Sequence, residues 1–507
     1  CSSVARSPVR VVASYDDFTS TYVRGRTGAA ATLFKEGCPE APEAIYSLGT
    51  IPGASGTHRP VKTHPVLDLS SLAEYPELQD WTWPLKLKPS QVVQAVHMAI
   101  GQPKVNYPMP DPAACAISWQ PLNVLSDATV SYSALYARCC SLAQKIRPAK
   151  NPGYPLGQLY ARNDQALAVM GPSICDRAVR MVLLWMEHDW AQGPPPDGWD
   201  ALVRGFTEVV TPFIKSEPHP ARKAVVGKWR TVNSVPLVLQ LAERLVLTGY
   251  MEKVKALYGY TPATVGIGFT PEMAARFAER LRAECPPGSS AHSEDISGWD
   301  RAVTEGDVAW AALVANAGID RAGFTKLQNA LRVHAWYMSR PLLRIWDGVE
   351  WQLCRTAPGC MLSGSTLTAT YNSMIRWGKA RMTGAITARC VGDDALTIRP
   401  STQTVEEYEE LYRTMGLAAR ESTLEALDAP NMTAFSLCSH RYELRDGSWR
   451  LYLISAPRTV YRALTRQQTP ESLDAVLREL AGHPRHDDYV ALIKHNVIMS
   501  TPVEAHG

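Results

Sequence analysis

The 507-residue chain has no run of 18 or more apolar residues. Its most hydrophobic stretch, around Met181–Met186, is closed in by Arg180 on one side and by Glu187, His188 and Asp189 on the other. A membrane-spanning helix needs about 20 predominantly apolar residues, so none is expected. The 11 cysteines show no CxxC spacing and no even framework. Cys139 and Cys140 are adjacent and the others lie among apolar neighbours, the pattern of reduced, mostly core thiols in a cytosolic protein. Charge of one sign is not in excess either: 52 Lys and Arg stand against 49 Asp and Glu, a net +3. Without a global basic field, a polyanion partner must be gripped by a locally focused patch. Internal repeats and low-complexity tracts are also missing, and with 46% hydrophobic and 20% charged residues the composition is that of a packed globular protein. The length fits two to four structural units. The start, Cys1-Ser2-Ser3, has no methionine and is too polar for a signal peptide, which points to a proteolytic product or a trimmed chain. His483 and His486, beside Asp487 and Asp488, form one cluster of metal-ligand types, but a solvated helix start is the stronger reading there.

Residues 1–60 are rich in Ala, Gly, Ser, Thr and Pro with little periodicity, and read as extended, loop-dominated structure laid over something larger. Breaks are expected at Gly193–Gly198 and at Pro286–Ser290. Between them, Pro236–Tyr258 is apolar at helical spacing (Leu239, Ala242, Leu245, Val246, Met251) and should be a long packed helix. After Ser290 the order reads strand, helix, helix, hairpin, helix, strands. Ala385–Val391 and Ala395–Arg399 are strands around a tight turn at Gly392-Asp393-Asp394. Thr404 and Glu407 form a capping box for a helix presenting Val405, Tyr408, Leu411, Tyr412 and Met415 on one face, ended by Gly416. The fold class is mixed α/β.

Asp295, at the end of a probable strand, and Asp393 with Asp394, at a hairpin tip, are acids that a fold can bring together. Such a cluster repels itself unless cations neutralise it. Mg²⁺ suits it, being a hard ion that takes a few carboxylates and keeps room for water and phosphate oxygens. Taken alone, an Asp-Asp pair after glycine is an ordinary hairpin turn. Ser363–Ser373 reads as a small-residue loop feeding a helix on which Thr368 and Asn372 share a face; the amide is placed to meet a second acid such as Asp300. Between Lys215 and Arg230 stand five Lys and Arg residues and one Glu, the focused basic patch that an almost neutral protein would need.

These blocks together resemble a positive-strand RNA virus RNA-dependent RNA polymerase, most like the sobemovirus, polerovirus and barnavirus group. DISGWDRAV (Asp295–Val303), SGSTLTATYNS (Ser363–Ser373) and VGDDAL (Val391–Leu396) stand in the order of that family's motifs A, B and C. Lys215–Leu245 is similar to motif F and its following helix, FSLCSHRYE (Phe435–Glu443) to motif E, and NPGYPLG (Asn151–Gly157) to motif G. The resemblance covers roughly residues 150–445. It implies a right hand: an N-terminal extension and start of fingers over 1–150, fingers with part of the palm over 151–290, palm over 291–455 as an antiparallel sheet with flanking helices, and a small helical thumb over 456–507. Two short thumb helices are expected near Ser472–Gly482 and Asp488–Ile498.

The same resemblance implies that Asp295, Asp393 and Asp394 are catalytic and hold Mg²⁺, for which Mn²⁺ substitutes. Asp300, Thr368 and Asn372 would select ribose, and Ser363 and Gly364 would form a loop that adjusts with template translocation. Lys215, Lys228 and Arg230 would line the nucleotide channel, with Cys438–His440 near the primer-grip turn. RNA template and product and ribonucleoside triphosphates are the implied partners, and the host-cell cytoplasm, in a replication complex or virion, the implied setting. Whether residues 1–150 bind a capsid protein, a genome-linked protein or the enzyme's own fingers and thumb stays open in the sequence.

One departure is that motif D commonly offers a lysine as general acid, whereas Leu417-Ala418-Ala419-Arg420 has none. Arginine holds its proton too tightly for that role, so Arg420 would act electrostatically or the acid lies elsewhere. Other readings are weaker. A reverse transcriptase-like palm usually places a bulky aromatic at the sugar position and a hydrophobic residue before Asp-Asp, where this chain has Gly392. A capsid-associated RNA-binding protein should carry a basic tail, and a metal-dependent nuclease would leave motifs B and F without a role.

Overall fold

The computed structural model describes residues 45–53, 73–84, 87–100, 104–115, 130–258, 260–266, 270–317, 325–419 and 427–497. Most of residues 1–60 therefore lies outside the described residues, but Ile45–Thr50 (β1) is a strand added to the edge of a hairpin rather than loop. Tyr132–Ala143 (α1) and Asn163–Glu187 (α2) follow, then a short strand pair, Thr211–Ile214 (β2) and Thr231–Ser234 (β3), enclosing the basic loop. The helix expected over 236–258 runs Leu237–Ala256 (α3). It is enclosed on nearly every side, since α1 and α2 pack on it and Leu237, Leu241, Leu245, Leu247 and Val254 are all 1% exposed or less. This is the centre of the largest core.

Pro271–Glu284 (α4) leads into Ser289–Glu294 (β4). Glu305–Ala317 (α5) and Thr325–Ser339 (α6) come next, then the hairpin Leu342–Trp346 (β5) and Trp351–Thr356 (β6) that receives β1. Thr368–Met382 (α7) crosses to Thr387–Val391 (β7), which turns through Gly392-Asp393 into Asp394–Pro400 (β8). Asp394 is thus the first residue of the returning strand, not part of the turn. Val405–Thr414 (α8) has the expected capping box, with Tyr408 and Tyr412 buried. Leu411, expected on the same face, is instead 37% exposed. Gly416 ends the helix at φ +71°, with Val105 packed against it.

Leu427–Asp428 (β9) completes a four-stranded antiparallel sheet in the order β9-β4-β8-β7. Ala434–Leu437 (β10), His440–Arg445 (β11) and Ser448–Leu453 (β12) form a meander beside it. A second core joins the two: Phe277 and Leu281 of α4 and Leu396 and Ile398 of β8 meet Phe435, Tyr442 and Trp449 of the meander. The Phe435 and Tyr442 rings stack at 4.5 Å.

Among the described residues three helices end the chain's C-terminal part: Ala456–Thr465 (α9), which the sequence reading does not anticipate, Pro470–Glu479 (α10) and His486–Asn496 (α11). His486 does start a helix. Their small core takes in Leu78 and Trp83 from far upstream, and the Trp83 indole donates to Thr465 at 2.8 Å. Glu77 accepts from Arg485 and from Tyr489, at 2.5 and 2.9 Å. Immediately after, Trp81–Thr82 pairs with His219–Pro220. Residues 75–83 thereby strap the C-terminal helices to the basic loop. A second upstream segment lies against α5 and the residues before it, where Lys104 donates to the Val303 carbonyl at 2.9 Å and Pro110 accepts from the Trp310 indole at 2.7 Å.

Candidate active site

The register of the central sheet brings the acids together. Ala395 of β8 pairs with Glu294 of β4, so Asp394 and Asp295 come one step outward, at the ends of the two inner strands. Asp393 sits in the two-residue turn beside them, after Gly392 at φ +69°. Glycine at the first central position is what a hairpin turn of this hand favours. Asp393 keeps contact with solvent at the turn's tip. The cleft walls nevertheless desolvate its carboxyl and raise its pKa; a backbone N–H opposes this, and the charge of Asp295 adds to it. The field of Arg230 also reaches Asp393 and favours its ionised form. Cys438 of the β10–β11 turn lies close by: burial first, then Asp394 and Asp393, push its thiol up to about 11.

Beneath this edge lies a closed ionic network. Glu294 accepts from Arg399 at 2.7 Å and from Arg376 at 2.8 Å, and also from Tyr412 and Thr397. Burial alone would raise its pKa, but Arg399 and Arg376 more than reverse that and hold it at about 2.

The loop before α7 is fixed from two sides. Asn233 of β3 donates to Ser363 Oγ at 3.1 Å, and a Cβ on Gly364 (φ +103°) would come within 2.5 Å of the Asn233 carbonyl oxygen, so no side chain fits there. Glu243, buried within α3 and paired with His334 at 2.9 Å, accepts from Ser365 Oγ at 2.8 Å and from the Thr366 N–H at 2.9 Å. Thr368 Oγ1 donates to the Leu362 carbonyl at 2.7 Å, which folds the loop onto the helix start. One turn on, Asn372 Oδ1 accepts from the Trp299 indole at 2.8 Å. The partner expected for this amide is Asp300; the bond to Trp299 occupies its acceptor end and does not involve the donor end that a carboxylate or hydroxyl would meet. Asp300 itself is exposed, and its charge is felt by the recessed Lys104.

In the basic loop, Glu217 is bracketed by Lys215 at 2.8 Å and Arg230 at 3.0 Å. Its pKa is raised by burial and lowered further by these two cations, for a net decrease. Arg458 of α9 senses the same group, so the C-terminal helices face the basic loop across the site. Lys228 is exposed. Gly153 of the NPGYPLG segment packs on Pro236, and the Leu237 N–H donates to the Pro152 carbonyl at 2.8 Å, seating that segment at the start of α3.

The donor chemistry suits a divalent cation: two carboxylates at the ends of adjacent strands and a third, in the turn beside them, whose charge is opposed by burial and by Asp295. Among the described residues, no three His, Cys, Asp or Glu side chains are drawn into one ligand set. Arg420 lies outside the described residues, although Ala419 bridges to Ile296 beside Asp295. Sequence reasoning missed Glu217, Glu243, Glu294 and Arg376. A charge inside an apolar helical run marks Glu243, and Arg376 continues the stripe of Thr368 and Asn372 at the next four-residue step.

The fold is the right-hand fold of viral RNA polymerases. The Sicinivirus 3Dpol RNA-dependent RNA polymerase aligns over 89% of this chain and 95% of its own at a TM-score of 0.59 and 13% identity. The RNA-dependent RNA polymerase of a human picobirnavirus aligns over 84% and 78% at 0.56 and 14%. In sequence, residues 350–426 match the family described as viral RNA-directed RNA polymerase. The replicase polyprotein P2AB of Southern cowpea mosaic virus is 26% identical over 452 residues, 84% of this chain and 44% of that protein. Protein P1-P2 of Turnip yellows virus is 31% identical over 217 residues, 40% of this chain and 20% of that protein. The chain is a relative of positive-strand RNA virus RNA-dependent RNA polymerases, of the sobemovirus and polerovirus kind, and spans under half the length of the curated relatives it matches.

Proposed function

We propose that this chain catalyses template-directed RNA synthesis for viral genome replication, an RNA 3′-hydroxyl attacking the α-phosphate of a ribonucleoside triphosphate with release of pyrophosphate. The arrangement that supports this reading is Asp295 and Asp394 following the paired ends of two adjacent strands, with Asp393 in the turn beside them and within the fields of Asp295 and Arg230. Mg²⁺ held by those three carboxylates, or Mn²⁺ in its place, would lower the cost of the attacking oxygen's charge and of the leaving group's. Lys215, Lys228 and Arg230 would receive the triphosphate, with Glu217 holding Lys215 and Arg230 in place until it arrives. Asp300, Thr368 and the donor end of Asn372 would read the 2′-hydroxyl, while Ser363 and Gly364 shape the loop beside the template. Catalysis of this kind rests on positioning and electrostatics.

The fingers, palm and thumb bounds given above, with the palm at 291–455, are part of this reading. So is the infected cell's cytoplasm as setting; among the described residues no helix is long and apolar enough to cross a membrane. A genome-linked protein or capsid protein remains a proposed partner of residues 1–150. The experiment is RNA synthesis on a short defined template with labelled nucleotides, in Mg²⁺ and in Mn²⁺, with and without primer. Template-dependent product is expected, with Asp393→Ala losing about a thousandfold in rate while binding RNA nearly as well. Undiminished synthesis by that variant would remove Asp393 from the centre.

A further inference from the structure

The turn that carries Asp393 is held from one helix, at both of its peptide groups. Ser373 of α7 accepts the Gly392 N–H at 2.8 Å, and its own hydroxyl donates to the Ala369 carbonyl at 2.7 Å. Three residues on, Arg376 donates from Nε to the Asp393 carbonyl at 3.2 Å. The other arms of the Arg376 guanidinium reach Tyr412 Oη at 2.7 Å and Glu294 at 2.8 Å. The side chains of Arg376 and Glu294 are 0% and 1% exposed, so these bonds do not compete with water.

Glu294 directly precedes Asp295, and Tyr412 belongs to α8. One guanidinium therefore touches the main chain of the Asp393 turn, the strand that ends in Asp295, and the helix leading to Ala418 and Ala419. The last two return to the site, where the Ser297 N–H donates to the Ala418 carbonyl at 2.8 Å.

We propose that Ser373 and Arg376 are positioning residues of the reaction. They set the turn bearing Asp393 at a fixed height against Asp295, with Tyr412 tying that setting to α8. The proposal rests on the polymerase reading above and goes beyond it, since that reading assigns neither residue to nucleotide or cation. The geometry explains why an arginine stands there: its planar fork spreads donors over three separated nitrogens, whereas the three N–H groups of lysine all leave from one. It also fixes the backbone of the turn independently of its carboxylates. Groups that orient metal ligands commonly change metal affinity or activity by about 10–100-fold when removed.

The charge count makes the test practicable. Glu294 is met by two arginines, so Arg376→Gln leaves it paired one-to-one with Arg399 and the fold is expected to stand. Three readouts are compared with wild type: amide exchange of the peptide spanning 391–395 in metal-free protein, Mn²⁺ binding by electron paramagnetic resonance of the free ion, and kcat and KM in primer extension. Arg376→Gln should speed exchange of that peptide about tenfold, weaken Mn²⁺ binding about tenfold, and lower kcat by about 10–100-fold with KM for nucleotide within about threefold. Ser373→Ala and Tyr412→Phe should move the same readouts in the same direction by less, and Arg376→Lys should recover part of the loss. A folded Arg376→Gln with wild-type exchange and Mn²⁺ binding would overturn the proposal, even if its rate fell. Wild-type protein that makes no RNA would instead remove the polymerase reading, while the exchange and Mn²⁺ measurements would still decide on Arg376.

Discussion

Glu294 ends β4 at the floor of the sheet and Asp393 sits in the turn before the neighbouring β8, at its rim, and their surroundings treat the same functional group in opposite ways. Glu294 is sealed from water, met by two guanidinium groups, a phenol and a hydroxyl, and held far below the usual carboxylate range. Asp393 touches solvent, has Asp295 for a neighbour, and is raised. Environments that push two carboxylates apart mark a division of labour. The floor carboxylate is neutralised within the fold and holds strands and helices together. The rim carboxylate is left in need of positive charge, which suits a guest cation.

The division is broken most directly by removing each acid in turn. Glu294→Ala leaves Arg376 and Arg399 enclosed without a counter-charge, and should cost about 3–5 kcal/mol of stability. That is a large share of a total that is commonly about 5–15 kcal/mol. Asp393→Asn, by contrast, should leave stability within about 0.5 kcal/mol of wild type while ending synthesis. Denaturant midpoints for the two variants check this. Similar stability losses in both would mean that floor and rim are one structural unit.

Acid should separate them again. Glu294 has its pKa depressed from 4.5 to about 2, so its stabilising contribution is fully present above about pH 4.5 and is lost as the pH falls toward 2. Over that window it amounts to roughly 3 kcal/mol at most. Asp393 works in the other direction, because a raised acid is relieved of its penalty as it protonates. Urea unfolding across this range should show a steeper loss in wild type than in Glu294→Gln; equal slopes would place the acid sensitivity elsewhere.

A smaller effect concerns the sugar. Asn372 spends its oxygen on Trp299. Asn372→Asp keeps an acceptor for that indole yet loses the donor end, so the fold should survive while discrimination against deoxynucleotides relaxes by about tenfold or more. Asp300→Ala should do the same. Unchanged discrimination in both, with synthesis intact, would take sugar reading away from this pair.

These contrasts also show what the sequence could reveal. The hairpin bearing Asp393 and Asp394 was legible because a turn signal and two flanking strands are local features, their grouping with Asp295 came from the resemblance of the ordered motifs, and α3 was legible from its apolar spacing. The floor was not. β4 reads Ser-Ser-Ala-His-Ser-Glu, a string without apolar alternation, and it is mostly buried because Arg399, Thr397 and Arg376 satisfy its polar groups from strands and helices far along the chain. Burial of that kind depends on partners that no local pattern announces. The strap at 75–83 escaped for the same reason, since its packing on α9–α11 joins opposite ends of the sequence.

The turns of the meander give the finest version of the contrast between a site and its scaffold. Asp446-Gly447 joins β11 to β12 with φ +53° and +75°, the favoured pairing for two left-handed residues. Cys438-Ser439 joins β10 to β11 with φ +56° and +60° and no glycine at all, and it is this turn that lies beside Asp393 and Asp394. Backbone strain of this sort tends to collect where function needs a fixed shape. Ser439→Gly should therefore raise stability by about 0.5–1 kcal/mol, the relief of a left-handed side chain being partly offset by the freer unfolded chain. Gly447→Ala should lower it by about 1 kcal/mol, and there the backbone acts alone, since a Cβ would meet nothing within 4 Å. Opposite signs in the two denaturant midpoints would show that the costly turn is the one at the aspartates; a loss on Ser439→Gly would mean that the serine side chain, rather than its backbone, is what that turn requires.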